Sequence, residues 1–539
     1  MAHATKDGYL GSRKLKRAGV QQKLTKHQQE ELYKCSQDPI YFCKNYLKIR
    51  TTDHGRVKFD LFDFQEDMIK LIHEERFPLI NCARQIGKST VLLAYAAWCV
   101  IFNEEYEIAV LANKGKTSTG LLRKFRAIYE NIPKWMQQGV VEANKSTMEF
   151  ENNSLIYCVA TSADSIRGDA CNLVIIDEAA FIKSGVWDEF WDSTVPTISS
   201  GNTTKLCLIS TPKGMNHWYD LVEKARKGIG FKLYEVFWWQ RPGRDEAWKQ
   251  AEIDKTSASK FMQEHELEFL GSDTSLIAGE FIKKIVTKEP ELNYWDECYK
   301  IYKSPIEYHK YVAVVDVSHG VGLDYSVCSI IDISRPIFEQ VAVYRSNKIS
   351  HTQFPDIIQQ IAFSYNSAVI IVENNDLGIS VSDNLTMELD YENMYNPDKI
   401  EESGGNTKTG VRTTVSTKRI GCNNLKSLVE NGKLIIHDFQ TVRELSNFNK
   451  TKKGTSYEAS SGNDDIVMTL VMFSWAVKQS NFIEMTGIDI IKEIDKSKNE
   501  ELFDQHDDFG GVIGVASHID EFDDWVDTDW EREFDKGFW

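Results

Sequence analysis

A phosphate-binding loop constrains this chain more than any other feature. Cys82-Ala83-Arg84-Gln85-Ile86-Gly87-Lys88-Ser89-Thr90 stands between a short apolar run, Phe77–Cys82, and a longer apolar stretch from Lys88 to about Phe102. A strand feeding a helix through such a turn points the first helical N–H groups at an anion. The lysine then reaches β/γ-phosphate oxygens and the serine hydroxyl is placed for Mg²⁺. The general pattern has a glycine where Cys82 stands, and a chance Gly-Lys-Ser at a helix start is the competing reading. A second stretch weakens that reading. Leu173-Val174-Ile175-Ile176 runs into Asp177-Glu178, giving one carboxylate for a metal and another beside an attacking water, as phosphoryl transfer requires.

Short β-branched runs recur between helices. Glu107–Ala112, Ser154–Ala160, Leu173–Asp177 and Lys205–Ser210 read as strands, so the expected fold is α/β, with a parallel-type sheet covered on both faces. Arg226–Ser275, rich in Trp, Lys and Glu, reads mainly as helix, and Thr287–Pro305 as a linker. A second αβ region follows, with strands at Tyr311–Val317, Val327–Ile333, Glu339–Tyr344 and Ala368–Glu373 and a helix at Thr352–Tyr365 in an RNase H-like order. It closes on an apolar helix, Asp464–Gln479, after a loop of Gly, Lys and Thr at Gly404–Arg419. The expected divisions are a basic helical segment (1–57), a first domain with a helical subdomain (58–290), a linker (291–305), a second domain (306–490) and an acidic tail (491–539).

Composition narrows the class. With 42% hydrophobic residues and 13 Trp among 539 residues the chain can bury more than one core, which excludes wholesale disorder. It has neither an ~18-residue apolar run nor an apolar leader at Met1–Leu10, so membrane insertion and secretion are not expected. The ten cysteines are spread singly, without metal-ligand spacing, and read as reduced and mostly buried. A net charge of −17 argues against a nucleic-acid partner only until it is divided. Ile491–Trp539 holds sixteen acidic and five basic residues, a balance of −11 that leaves −6 for the rest, while Met1–Cys35 carries +5. Local patches therefore decide the question.

Around the first constellation, Gln65 lies upstream of the loop, where an amide can read an adenine edge or simply sit on a helix surface. Ser210-Thr211 ends an apolar strand, a position from which a hydroxyl can sense a γ-phosphate. Arg84 can act as an arginine finger or form a structural salt bridge.

A second constellation is acidic. Asp316 and Glu373 end two strands, Asp464-Asp465 opens a helix, and Asp324 follows Asp316 by eight residues. Such acids can converge on two divalent cations ~3.5–4 Å apart and cut a phosphodiester. Each also suits a turn or a helix N-cap. Lys408, Arg412, Lys418 and Arg419 fall between Glu373 and Asp465, as a phosphate-contacting patch or a merely solvated loop.

With both constellations in place the chain resembles the large terminase subunit of tailed bacteriophages, of the T-even type. The resemblance runs roughly from Lys58 to Ile483 through Asn81–Thr90, Leu111–Lys116, Asp164–Gly168, Val174–Phe181, Ser210–Tyr219, Asp316–Tyr325, Ile370–Asn374, Leu434–His437 and Gly462–Met472. That family's glycine-poor loop accounts for Cys82. The resemblance implies an N-terminal P-loop ATPase and a C-terminal RNase H-like nuclease. By its motifs, Ala83–Thr90 bind nucleotide, Gln65 contacts adenine, and Ser89 and Asp177 hold Mg²⁺. It likewise makes Glu178 the catalytic base, Arg84 a cis arginine finger, Ser210/Thr211 a coupling motif and Arg167 a finger across a subunit interface. Asp316, Glu373 and Asp465 become nuclease acids, with Asp464 and Asp324 nearby. ATP and Mg²⁺ (Mn²⁺ substituting in the nuclease) are the implied cofactors. Double-stranded DNA, the procapsid portal and a small terminase subunit are the implied partners, with a pentameric ring on the portal in the host-cell cytoplasm. Two rivals stay open: a cellular helicase–nuclease, and a non-enzymatic nucleotide-gated capsid assembly protein.

Overall fold

The structure, a computed structural model, describes residues 6–51, 55–162, 165–166, 171–200, 203–269, 275–319, 324–397, 410–451, 456–460 and 462–487. The apolar runs of the first half form β1 (Pro78–Cys82), β2 (Glu107–Ala112), β3 (Leu155–Ala160), β4 (Leu173–Asp177) and β5 (Lys205–Ser210), with helix α1 (Lys88–Phe102) after β1. Helix α2 (His217–Arg226), β6 (Lys232–Val236) and helix α3 (Ala258–His265) follow. The strands lie in the order β6-β1-β5-β4-β2-β3, all parallel, and an antiparallel hairpin, Val140–Ala143 with Thr147–Phe150, continues the sheet beyond β3.

Both faces of this sheet are covered, and residue alternation shows how. Ile80, Ile108, Val110, Ile175 and Ile209 enter one core, whereas Leu79, Leu111, Val174, Ile176 and Leu208 enter the other. Helix α1 is buried from Val91 to Ile101. On its far side the indole of Trp98 donates to the Cys35 carbonyl at 2.7 Å, pinning the N-terminal helix Lys26–Gln37. The ten cysteines form no disulfide among the described residues, and nine are buried.

The second sheet is built from β7 (Tyr311–Asp316), β8 (Ser326–Asp332), β9 (Phe338–Ser346) and β10 (Val369–Val372). Strands β7, β8 and β9 pair antiparallel, and β10 adds to β7 in parallel. Helix α4 (Val415–Glu430), β11 (Leu434–Ile436), helix α5 (Phe439–Asn447) and helix α6 (Asp465–Ala476) complete this half. Helix α6 buries ten of its residues and is tied to the sheet where Thr469 Oγ1 donates to Ser329 Oγ at 2.7 Å.

Three expectations need correcting. β6 lies in the stretch read as helix and pairs with β1; its Lys-Leu-Tyr-Glu-Val run is short, charged and partly exposed at a sheet edge. The segment read as linker holds a hairpin, Leu292–Tyr294 with Tyr299–Ile301, that joins β9. Its turn uses positive φ at Trp295, Asp296 and Glu297, of which only Asp296 is a turn-favouring residue. Lys418 and Arg419 belong to helix α4 rather than a loop, since Thr414 Oγ1 accepts from Thr417 N–H and caps a helix from Val415. Among the described residues no single helix is long and apolar enough to cross a membrane.

Candidate functional site

The loop after β1 is held from three sides. Ala83 N–H donates to the Val236 carbonyl and Arg84 N–H to the Glu264 carbonyl, both at 2.8 Å. Arg241 and Arg244 bond the carbonyls of Gln85 and Arg84 from outside. Gln65 is buried, donating from Nε2 to the Ile86 carbonyl at 2.9 Å and accepting from Phe62 N–H at Oε1. The loop then turns through positive φ at Gln85 and Gly87, and a Cβ on Gly87 would stand 2.9 Å from Gln65 Nε2. Cys82 points into the interior, its thiol on the Ser210 carbonyl, and burial pushes it up to about 12, so it packs as a neutral group.

The sheet register places the rest. β4 and β5 run side by side with Asp177 opposite Ile209, so the carboxylate, the loop and Ser210 meet at the carboxyl ends of adjacent strands, where α/β sheets bind ligands. Ser89 Oγ donates to Asp177 Oδ2 at 2.6 Å, while the buried Asp177 Oδ1 has no protein partner. An orphaned hard oxygen beside a hydroxyl fits a divalent cation held by these two residues. A cleft of about 370 Å³ opens here, lined by Arg84, Lys88, Ser89, Lys124, Glu178 and Thr211. Arg84 is ion-paired to Glu264 at 2.6 Å, the structural arrangement of its two readings. Glu178 takes φ +60, a strained conformation that sites of chemistry retain. Ser210 Oγ accepts from Ala180 N–H and donates to the Thr211 carbonyl.

Two of the acids, Asp316 and Glu373, meet where β7 and β10 pair in the second sheet. β7 and β10 pair with Val315 opposite Val372, which sets Asp316 beside Glu373. Asn375 Nδ2 donates to Glu373 Oε1 at 2.9 Å. The backbone behind Glu373 is so close to the next turn that a Cβ on Gly378 would come within 1.7 Å of the Glu373 carbonyl oxygen. Asp465 opens helix α6 and accepts from Tyr325 N–H at 3.0 Å, while Asp464 turns to Ala459 N–H. Burial and the neighbouring Glu373, with which it shares a hydrogen bond, push Asp316 well above the usual carboxylate range, and Asp465 adds more than Asp464 does. Asp324 lies near Asp465 and accepts from Asn463 Nδ2. Among the described residues no three side chains close on a single point. Carboxylates that disfavour one another's charge are donors of the kind a hard divalent cation takes.

Arg412 lines a 430 Å³ cleft with Asn374, Asn375 and Asp376, and Lys418 approaches Asp464 closely enough to favour its charged form. Arg419 is on the same helix as Lys418, whereas Lys408 and Arg167 lie outside the described residues. Sequence reasoning missed Arg241, Arg244, Lys124 and Glu264, each brought to the loop from a distant segment.

Burial, with Asp324 and Asp464 beyond it, pushes Asp465 up to about 6. A raised folded-state value means that stability present below the unfolded value, ~4, is lost as pH rises through about 6. In chelator, Asp465→Asn should therefore gain stability over wild type as pH rises from about 4 to about 6, by ~2 kcal/mol after allowing for partial exposure, and keep that gain at higher pH. A melting difference that stays constant across this window would remove the assignment.

Residues 79–284 match the family model for the N-terminal part of the terminase large subunit, T4-like-virus type, and residues 313–474 match the terminase RNaseH-like domain. The large terminase subunit of Thermus virus P23-45 is 25% identical over 350 residues, covering 61% of this chain and 65% of that protein; that of Thermus phage G20c is 24% identical over the same length. The chain thus spans just under two thirds of these relatives. Among solved structures, the HK97 bacteriophage large terminase is 13% identical, with a TM-score of 0.44 over 82% of this chain and 99% of that one.

Proposed function

The chain belongs to the terminase large subunit family, and on that premise we propose that it is the ATP-hydrolysing and DNA-cutting subunit of a viral packaging motor. Residues 58–290 form the ATPase and 306–490 the nuclease, and between them, within 291–305, the Leu292–Ile301 hairpin joins the nuclease sheet. The observation that carries the reading is the approach of Asp316 to Glu373 on adjacent strands, because neither a helicase nor an assembly scaffold needs paired acids there.

In the ATPase, Lys88 holds the β/γ oxygens of ATP and Ser89 with Asp177 holds Mg²⁺. Glu178 takes the proton of the attacking water. Arg84 leaves Glu264 to reach the transferring phosphoryl, and Arg167 supplies a finger to the neighbouring subunit. Gln65 acts on the loop through Ile86 and contacts adenine, and Ser210/Thr211 couples turnover to DNA movement. In the nuclease, Asp316, Glu373 and Asp465 hold the divalent cations, with Asp464 and Asp324 beside them. Such ions, when bound, lower the pKa of a water and neutralise charge on the cleaved phosphate. Arg412, Lys418, Arg419 and Lys408 grip backbone rather than bases, which suits a motor that must pass any sequence. Its partners are double-stranded DNA, the portal and the small terminase subunit, in a pentameric ring on the procapsid in the host cytoplasm.

The test is plasmid cleavage by the purified chain with Mg²⁺ or Mn²⁺, alongside ATP hydrolysis. Wild type should cut only with metal and Glu373→Ala should not cut. A folded wild type that leaves plasmid intact under every metal would refute the nuclease half.

A further inference from the structure

Glu444 is 2% exposed, an unusual place for a carboxylate. Its Oε2 accepts from the N–H groups of Ile466 and Val467, at 2.8 and 3.3 Å, while Oε1 faces Arg345 at 3.6 Å. These N–H groups belong to the first turn of helix α6, directly after Asp465. Asp464, at the N-cap position, makes no side-chain bond to that turn. An internal acid on α5 therefore caps the helix in place of its own N-cap residue.

The same helix is anchored on the other half of the molecule. Arg443 Nε donates to the Met215 carbonyl at 2.9 Å and its Nη2 to Asp220 at 2.7 Å; Asn447 Nδ2 also donates to the Met215 carbonyl. Gly214 beside them has φ +61, and a Cβ there would come 2.6 Å from Asn447 Oδ1. Met215 is followed by Asn216 and His217, which bond the carbonyls of Ala180 and Ala179, the residues after Glu178. Three groups of hydrogen bonds, joined by the chain at Met215–His217 and at Arg443–Glu444, thus link Ala179 and Ala180, just past β4, to the first turn of helix α6.

We propose that Glu444 is a positioning residue of the nuclease, setting Asp465 against Asp316 and Glu373 through the first turn of α6, and that the ATPase half holds Glu444 in place through Arg443. This rests on the reading of Asp316, Glu373 and Asp465 as metal ligands. The test is Mn²⁺ binding to the nucleotide-free full chain, followed by electron paramagnetic resonance and calorimetry, with cutting measured alongside. Asp316→Asn defines the binding that belongs to the nuclease site; if it removes none, the metal-site reading itself fails. Glu444→Ala should weaken that binding ~10–100-fold, the usual loss for residues that orient a ligand, and Glu444→Gln should recover most of it through its carbonyl oxygen. Wild-type affinity in a folded Glu444→Ala would overturn the proposal. Arg443→Ala carries the test if Glu444→Ala does not fold: several-fold weaker Mn²⁺ binding with an unchanged ATPase rate supports the link, and unchanged binding overturns it.

Discussion

Lys88→Ala should lower ATP hydrolysis by ~10²–10³-fold and abolish packaging, while metal-dependent DNA cutting stays within about twofold of wild type. Lys88 is the first residue of α1 and lines the nucleotide cleft. Among the described residues its ammonium makes no ion pair, so its charge is available to phosphate, where a charge-assisted bond is about twice as strong as a neutral one. Helix α1 is otherwise held by its buried apolar residues, and alanine is a better helix former than lysine, so the fold should survive. The paired acids are on a different sheet with its own core. Nucleotide-dependent hydrolysis and plasmid cleavage, measured on one preparation, decide the matter. Loss of both activities together would mean that the two chemistries are not separable, and the division at about residue 300 would fall.

What the sequence made legible follows from which forces are local. The strands ending in Cys82, Asp177 and Ser210 are buried runs, Lys205 alone being half-buried, and burial on both faces leaves a continuous apolar signature. Asp316 and Glu373 stand out because each terminates such a run. By contrast, β6 and the Leu292–Ile301 hairpin are edge elements of three to five residues, stabilised by pairing with strands far away in sequence. The braces on the phosphate loop were hidden for the same reason. Arg241 and Glu264 reach Gln85 and Arg84 across more than a hundred residues, and nothing near either one marks it. Helix α4 was masked by the Gly, Lys and Thr before it, although Thr414 is a good N-cap. Gln65 was legible as a residue but not as a buried one, since its burial depends on the loop it supports.

Asp316→Asn should reverse the pattern of Lys88→Ala: cutting falls by ~10³-fold, the several kcal/mol that a lost metal ligand removes from the cleavage step, while ATP hydrolysis persists. Stability separates this outcome from simple damage. Asp316 is pushed well above the usual carboxylate range by burial and by Glu373, so its charged form is disfavoured by the fold. A group raised in the folded state stabilises below its unfolded value and loses that contribution as pH rises through the folded one. Asparagine carries no charge to lose. In chelator at pH 7.5 the variant should therefore melt at or above wild type, and the gap should close as pH falls towards 4. Divalent cation should raise the melting temperature of wild type more than that of the variant, because only wild type keeps the full donor set. A protein that loses cutting while gaining metal-free stability has lost a ligand rather than its fold. A variant that melts well below wild type in chelator would place Asp316 in the structural scaffold and take it out of the metal site.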